Sequence, residues 1–155
     1  MRIEMKINGV KKYFDISPDE YLVDTLRNNG YTSVKRGCDT GICGCCTVHM
    51  DGRAILSCIM LSAKAHGHEI TTIEGVREKA RKVGQFLVDE GVEQCGYCST
   101  GLIMNILYME KAIKEPTDKE ILHYLNGNLC RCTGYTGQLR AIKKYLEAKN
   151  YENRK

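Results

Sequence analysis

Tryptophan is absent from this 155-residue sequence, and phenylalanine and proline occur twice each. With so few large aromatic side chains, burial alone makes a thin core for one or two small domains, each near the lower size limit for self-sufficient folding. No apolar run approaches the ~18–20 residues that a membrane span requires, so no membrane association is expected. Met1 to Ile7 is charged and alternating, without the apolar stretch of a secretory signal and without a twin arginine. The expectation is a cytoplasmic chain whose thiols stay reduced.

What is plentiful is cysteine, with nine residues. A disulfide framework would need an oxidising compartment, which the N-terminus does not announce. Eight of the nine instead fall into two quartets. The first is Cys38, Cys43, Cys46 and Cys58, spaced C-x4-C-x2-C-x11-C. The second pairs Cys95 and Cys98 with Cys130 and Cys132. Four thiolates are the usual complement of a [2Fe–2S] centre, and ligation would add folding free energy that the core lacks. Two such centres in one small chain point to conduction of electrons.

Net charge is +4, and most of the excess lies near the C-terminus, in Arg140, Lys143, Lys144, Lys149, Arg154 and Lys155 against Glu147 and Glu152. Aromatic residues are not interleaved there as stacking platforms for nucleic acid would require. A solvated helix face is the expectation.

The first half reads as strands and turns. Arg2–Ile7 alternates, Asn8-Gly9 is a two-residue hairpin signal, and Val10–Ile16 pairs back. Ser17-Pro18 opens a helix from about Asp19 to Asn29. Thr47–Met50, Asp51-Gly52 and Arg53–Leu56 form a second hairpin, followed by a short helix after Ser57 and a strand over Glu69–Ile73. The second half changes period, with helices expected near Lys79–Glu90, Thr100–Ile113, Asp118–Asn126 and Gly137–Lys149. In the last of these Leu139, Ile142 and Leu146 share a stripe. The boundary falls at Glu74-Gly75, and the expected class is α+β: a small sheet unit over 1–75 and a compact bundle of four helices over 76–155.

In the first quartet, Gly37, Gly41 and Gly44 let the chain wrap tightly, turning backbone N–H groups toward anionic sulfur. Zinc prefers paired C-x2-C knuckles, and three ligands in one glycine-rich loop favour iron and sulfide, as does the plant-type C-x4-C-x2-C opening. Spacing alone leaves the second quartet open between iron and zinc. Both of its pairs precede expected helix N-termini, where the dipole favours an anionic cluster.

Three stretches taken together are more specific: Gly37 to Val48 as G-C-D-T-G-x-C-G-x-C-T-V, Gln94 to Cys98 as Q-C-G-Y-C, and Gly127 to Tyr135 as G-N-L-C-R-C-T-G-Y. In these the chain resembles the small iron–sulfur subunit of the molybdenum hydroxylases, the xanthine dehydrogenase, aldehyde oxidase and carbon monoxide dehydrogenase family, over nearly its whole length. The resemblance implies a β-grasp ferredoxin domain followed by an all-α four-helix domain, each with one [2Fe–2S] cluster. It implies a molybdopterin-binding large subunit and an FAD-binding medium subunit as partners, in an assembly that can double into a dimer of heterotrimers. Carried over by motif, Cys95, Cys98, Cys130 and Cys132 hold the cluster on the molybdenum side. Cys38, Cys43, Cys46 and Cys58 hold the one on the FAD side, and Gln94 contacts the pterin. Electrons would pass singly from molybdenum through both clusters to FAD, with a purine or another heteroaromatic or aldehyde as substrate.

Three positions depart from the family pattern. Cys45 stands where a small residue is usual, Ser99-Thr100 where Thr-Pro is usual, and Gln138 where the side chain is normally apolar. Cys45 is expected to be a small buried side chain, and a hydroxyl of Ser99-Thr100 is expected to cap the helix that follows. His49, His66, His68 and His123 make no ligand pattern with one another, although His66-x-His68 could take up adventitious zinc. No residue reads as a nucleophile or general base. A free-standing two-cluster carrier and a zinc-binding interaction module are the alternative functional classes.

Overall fold

The computed structural model describes residues 1–153, with side chains through Asn150. The expected end of the helical segment at Lys155, with the charges of Arg154 and Lys155, therefore lies outside the described residues, and the Glu152 side chain outside the described side chains.

Two hairpins set up the first half. Strands β1 (Arg2–Ile7) and β2 (Val10–Asp15) run antiparallel in strict register, Arg2 opposite Asp15 and Ile7 opposite Val10. Asn8 at φ 53° and Gly9 at φ 82° form the turn, the paired positive φ values a type I′ connection needs. β3 (Thr47–Met50) and β4 (Arg53–Leu56) repeat the device through Asp51 and Gly52. β5 (Glu69–Thr71) lies between them, parallel to β1 and antiparallel to β3, giving one sheet in the order β2-β1-β5-β3-β4. Ile3, Met5 and Ile7 alternate inward and join Leu22, Val23 and Leu26 of helix α1 (Leu22–Asn28) in a closed core.

α1 starts three residues later than the sequence suggests. Tyr21 is drawn into an isolated antiparallel bridge with Leu61, and the Leu22 N–H is taken by the Met60 carbonyl at 2.7 Å. An extended Tyr21 cannot begin a helix, so pairing overrides the Ser-Pro start signal. The short helix expected after Ser57 is a 3-10 turn over Ser57–Ile59.

The second half contains α2 (Arg77–Asp89), α3 (Ser99–Ala112), α4 (Asp118–Tyr124) and α5 (Thr136–Asn153), around a separate core that includes Val83, Leu87, Ile106, Met109, Ile121 and Ile142. The stripe expected on α5 is rotated: Gln138, Ala141, Ile142 and Tyr145 are buried, while Leu139 and Leu146 are half-buried. Tyr145 explains the shift, since its ring meets Phe86 edge-on and its hydroxyl donates to Glu110. The basic side chains of α5 are tied to the other helices. Arg140 and Lys144 both pair with Glu90, Lys143 with Asp118 at 2.8 Å, and Lys149 with Glu110. No helix among the described residues is long and apolar enough to cross a membrane.

α4 opens with a full capping box. The Glu120 N–H donates to the Thr117 hydroxyl oxygen, and the Glu120 carboxylate accepts from the Thr117 N–H at 2.8 Å. Thr117→Ala is expected to lower Tm by roughly 2–4 °C, measured by thermal unfolding, with no change in iron content.

The two cores meet along α3 and β3. His49 on β3 is 4% exposed, and its Nε2 lies 2.7 Å from the Met104 carbonyl of α3. Burial holds its pKa below the ordinary histidine value, so a neutral imidazole donating from Nε2 joins the halves.

Candidate metal centres

The chain between α1 and β3 has no regular structure and must be held by side chains. Arg27 reaches from α1 to donate to the Thr32 and Val34 carbonyls at 3.2 and 2.8 Å. Gly41 and Gly44, at φ +73° and +74°, then turn the loop over Cys38. Partial burial works against ionising Cys38. Backbone N–H groups of Thr40, Cys43 and Ile42 converge on it nonetheless and bring its pKa down to about 6. This nest of donors is the local chemistry an anionic cluster needs.

Cys43, Cys46 and Cys58 are buried beside it, and the Cys58 N–H points at the Cys46 sulfur over 3.4 Å. Burial and the adjoining Cys46 thiol push Cys58 up to about 12. Cluster assembly must therefore take protons from the inner thiols. Gly37 completes the cradle, because a Cβ there would meet the Cys43 sulfur at 3.0 Å and the Cys45 sulfur at 3.1 Å.

The second quartet is more open: Cys98 and Cys130 are half-buried, while Cys95 and Cys132 are exposed with sulfurs 3.6 Å apart. Gly96, at φ +74°, makes the turn between Cys95 and Cys98. Cys130 is the best supported thiol of this quartet. Its N–H donates to the Tyr135 hydroxyl oxygen at 3.0 Å, and the Thr133 hydroxyl donates to its sulfur at 3.2 Å. Against the effect of burial, that hydroxyl and the Cys132 and Thr133 N–H groups lower its pKa. Cys98 is pushed up to about 12 by burial and by Cys130.

Neighbouring thiols within each quartet meet in pairs, Cys46 with Cys58 and Cys95 with Cys132, and backbone N–H groups converge on Cys38 and Cys130. Among the described residues, no set of three or more Cys, His, Asp or Glu side chains is preset around a point for a metal ion. The fit to iron and sulfide rests instead on donor chemistry, glycine cradles and N–H nests. Gln94 lies beside Cys95 at the surface, its amide donating to the Gly91 carbonyl at 3.1 Å. His66 and His68 diverge: His66 Nδ1 accepts the Glu4 N–H at 3.0 Å, and His68 lies 2.5 Å from Asp51.

Cys45 is buried as expected, and its sulfur lies 3.9 Å from the Cys43 carbonyl oxygen. Burial, followed by nearby Cys43, pushes it up to about 12. Cys58 and Cys98 are raised to the same value, so it is the C-x4-C-x2-C spacing, complete without Cys45, that makes it a packing group, and Cys45→Ala should leave both reduced-state EPR signals unchanged. Loss of the N-terminal cluster's signal would show it to be a ligand.

The expected hydroxyl cap on α3 is absent. Cys98 is the N-cap residue and offers no side-chain cap. Ser99 donates to Glu93 at 2.7 Å, and Thr100 donates across to the Ser33 carbonyl at 2.9 Å. That crossing belongs to a set of contacts between the two cysteine loops that motif reading does not reveal. The Leu129 N–H donates to the Cys43 carbonyl at 3.0 Å, and the Tyr97 hydroxyl donates to the Arg36 carbonyl at 2.7 Å. Asn128, 7% exposed, accepts from Asn105 at 2.6 Å and abuts Gly44. In the sequence, Gly127, Asn128 and Leu129 stand only as part of the motif around Cys130 and Cys132, with no sign of this junction.

A sheet unit and a helical unit, each with a cysteine quartet and joined at their ligand loops, define a two-cluster iron–sulfur protein. Residues 5–71 match the 2Fe-2S iron-sulfur cluster binding domain and residues 72–143 the [2Fe-2S] binding domain. The nicotinate dehydrogenase small FeS subunit of Eubacterium barkeri is 39% identical over 148 residues, 94% of each chain. The xanthine dehydrogenase iron-sulfur-binding subunit of Escherichia coli is 47% identical over 137 residues, 86% of each chain. A chain of quinoline 2-oxidoreductase from Pseudomonas putida superposes with a TM-score of 0.88 at 34% identity, covering 97% of this chain and 96% of that one. The chain belongs to the small iron–sulfur subunits of the molybdenum hydroxylases, oxidoreductases in which it accounts for two [2Fe–2S] clusters and for docking to larger subunits.

Proposed function

We propose that this chain carries electrons from a molybdenum centre in a large molybdopterin-binding subunit to FAD in a medium subunit. In this reading residues 1–75 form the ferredoxin-like domain, with Cys38, Cys43, Cys46 and Cys58 as ligands on the FAD side. Residues 76–155 form a four-helix domain, with Cys95, Cys98, Cys130 and Cys132 as ligands on the molybdenum side and Gln94 as a pterin contact. Each cluster, when bound, accepts and releases one electron at a time.

The chain's own residues supply the rest. The Thr40, Ile42 and Cys43 N–H groups hold negative charge at Cys38, and the Thr133 hydroxyl does so at Cys130. The observation that carries the proposal is the Leu129–Cys43 hydrogen bond of 3.0 Å, which joins a neighbour of one ligand directly to a ligand of the other quartet. The exposure of Cys95 and Cys132 suits a quartet that a large partner covers. A reducing, cytoplasmic setting belongs to the same reading, since both quartets need free thiols. The substrate, chosen in the large subunit, falls among purines, other heteroaromatics and aldehydes.

The test is elemental analysis of the complex isolated anaerobically from its host by a tag on this chain. Iron with molybdenum and two larger chains is the expected result, and the particle mass then distinguishes a heterotrimer from its dimer. Iron without molybdenum or partner chains would mark a free-standing carrier, and zinc in place of iron would overturn both.

A further inference from the structure

We infer that Tyr97 and Thr100 are positioning residues that clamp the two cysteine loops together and so set the gap an electron crosses between the clusters. The inference rests on the reading that both quartets hold clusters.

Segments 33–36 and 97–100 belong to different halves of the chain and share no β-ladder. Side-chain hydroxyls from the second nevertheless seize backbone carbonyls of the first. Tyr97 lies between Cys95 and Cys98, and its hydroxyl is 2.7 Å from the carbonyl of Arg36, two residues before Cys38. The residue is 47% exposed, so burial does not explain its placement. Thr100 stands two residues after Cys98 and sends its hydroxyl outward to the Ser33 carbonyl instead of back to its own helix.

Both acceptors are held from behind. Arg27 donates to the carbonyls of Thr32 and Val34, and the Ser33 hydroxyl donates to Glu74 at 2.5 Å. The Arg36 guanidinium sits between Asp24 at 3.3 Å and Asp39 at 3.1 Å. Its buried Nε approaches Asp39 without the alignment of a hydrogen bond, so that second contact is one of charge alone.

Resistance to compression and resistance to opening come from different groups. Gly101 packs so closely on Gly44 that the loops cannot approach further, yet that contact does nothing to stop them parting. The two hydroxyl bonds, with the Leu129–Cys43 backbone bond, oppose separation. Electron tunnelling falls steeply with distance, so a clamp that narrows the spread of separations acts on rate without touching a ligand. The step is a one-electron exchange between the clusters, needing no proton and no other oxidant or reductant.

The test uses the whole complex with Tyr97→Phe, Thr100→Val, the double variant, and Thr100→Ser as the conservative control. Each lost hydroxyl bond should shift the closed–open balance of the loops by about fivefold. The double variant is expected to keep its iron and both EPR signals. The spin–spin splitting between the reduced clusters should broaden, and inter-cluster transfer after rapid reduction should slow more than in either single variant. Thr100→Ser should match the wild type. Wild-type splitting and rate in the double variant would overturn the proposal. So would a lowered Tm with unchanged splitting, the mark of a merely structural role. If the double variant loses iron, unchanged splitting in both single variants overturns it equally. A wild-type complex lacking one of the two signals would overturn the two-cluster reading, and this proposal with it.

Discussion

Cys130→Ser is expected to erase one of the two reduced-state EPR signals and to stop nearly all electron flow from substrate to acceptor. Of the four thiols in its quartet, Cys130 has the most complete support: the Thr133 hydroxyl on its sulfur, its own N–H fixed by Tyr135, and a pKa lowered despite burial. Serine offers a hard, far more basic oxygen in place of a soft thiolate. Losing a residue that merely supports a ligand costs roughly 10–100-fold in metal affinity, so losing the ligand itself should cost more. The first cluster's signal should survive, because two of its proposed ligands, Cys46 and Cys58, sit in a separate hydrophobic core. Two intact signals in low-temperature EPR of the reduced complex would rule out the ligand assignment.

Gly101→Ala should produce the largest effect outside the ligands. A Cβ at this position would fall 2.0 Å from the Gly44 carbonyl oxygen and 2.9 Å from the Cys45 Cα. Both obstacles are backbone, so no side-chain rotation relieves the contact, and the start of α3 must move off the first cysteine loop. Alanine favours a helix over glycine by about 1 kcal/mol, whereas overpacking typically costs about 1–3 kcal/mol and occasionally more. A clash this short belongs at the upper end, so the expected result is net destabilisation with slowed inter-cluster transfer. Gly84 in α2 supplies the opposite sign. Its Cβ would meet only the Ile103 Cδ1 at 4.0 Å, so Gly84→Ala should stabilise by roughly 0.5–1 kcal/mol. Thermal unfolding of the two variants side by side checks both, and a wild-type Tm for Gly101→Ala would show that the junction yields.

Glycines 101 and 84 show where sequence reading stops. Each sits inside a helical pattern, and nothing in the neighbouring residues distinguishes them. One faces another backbone and the other a distant methyl group, a difference created only when α3 packs on the loop preceding β3. Tyr97 and Thr100 are alike in this respect. The sequence presents a tyrosine between two ligands and a hydroxyl at a helix start, whose ordinary uses are shielding and capping. Their actual acceptors, Arg36 and Ser33, lie 61 and 67 residues away.

By itself the sequence determined the two cysteine quartets as candidate cluster sites, the change from a sheet half to a helical half, and both tight hairpins. Each of these depends on short-range chemistry. Asn-Gly and Asp-Gly accept paired positive φ values, alternation and helical period sort residues to a buried face, and soft donors at fixed spacing declare a metal site. Only the tertiary structure decided that α1 begins at Leu22, that α5 turns on Tyr145, and that the ligand loops touch through Leu129 and Cys43. Those outcomes come from contacts between segments remote in the chain. Their energies depend on distances that exist only after both cores have closed.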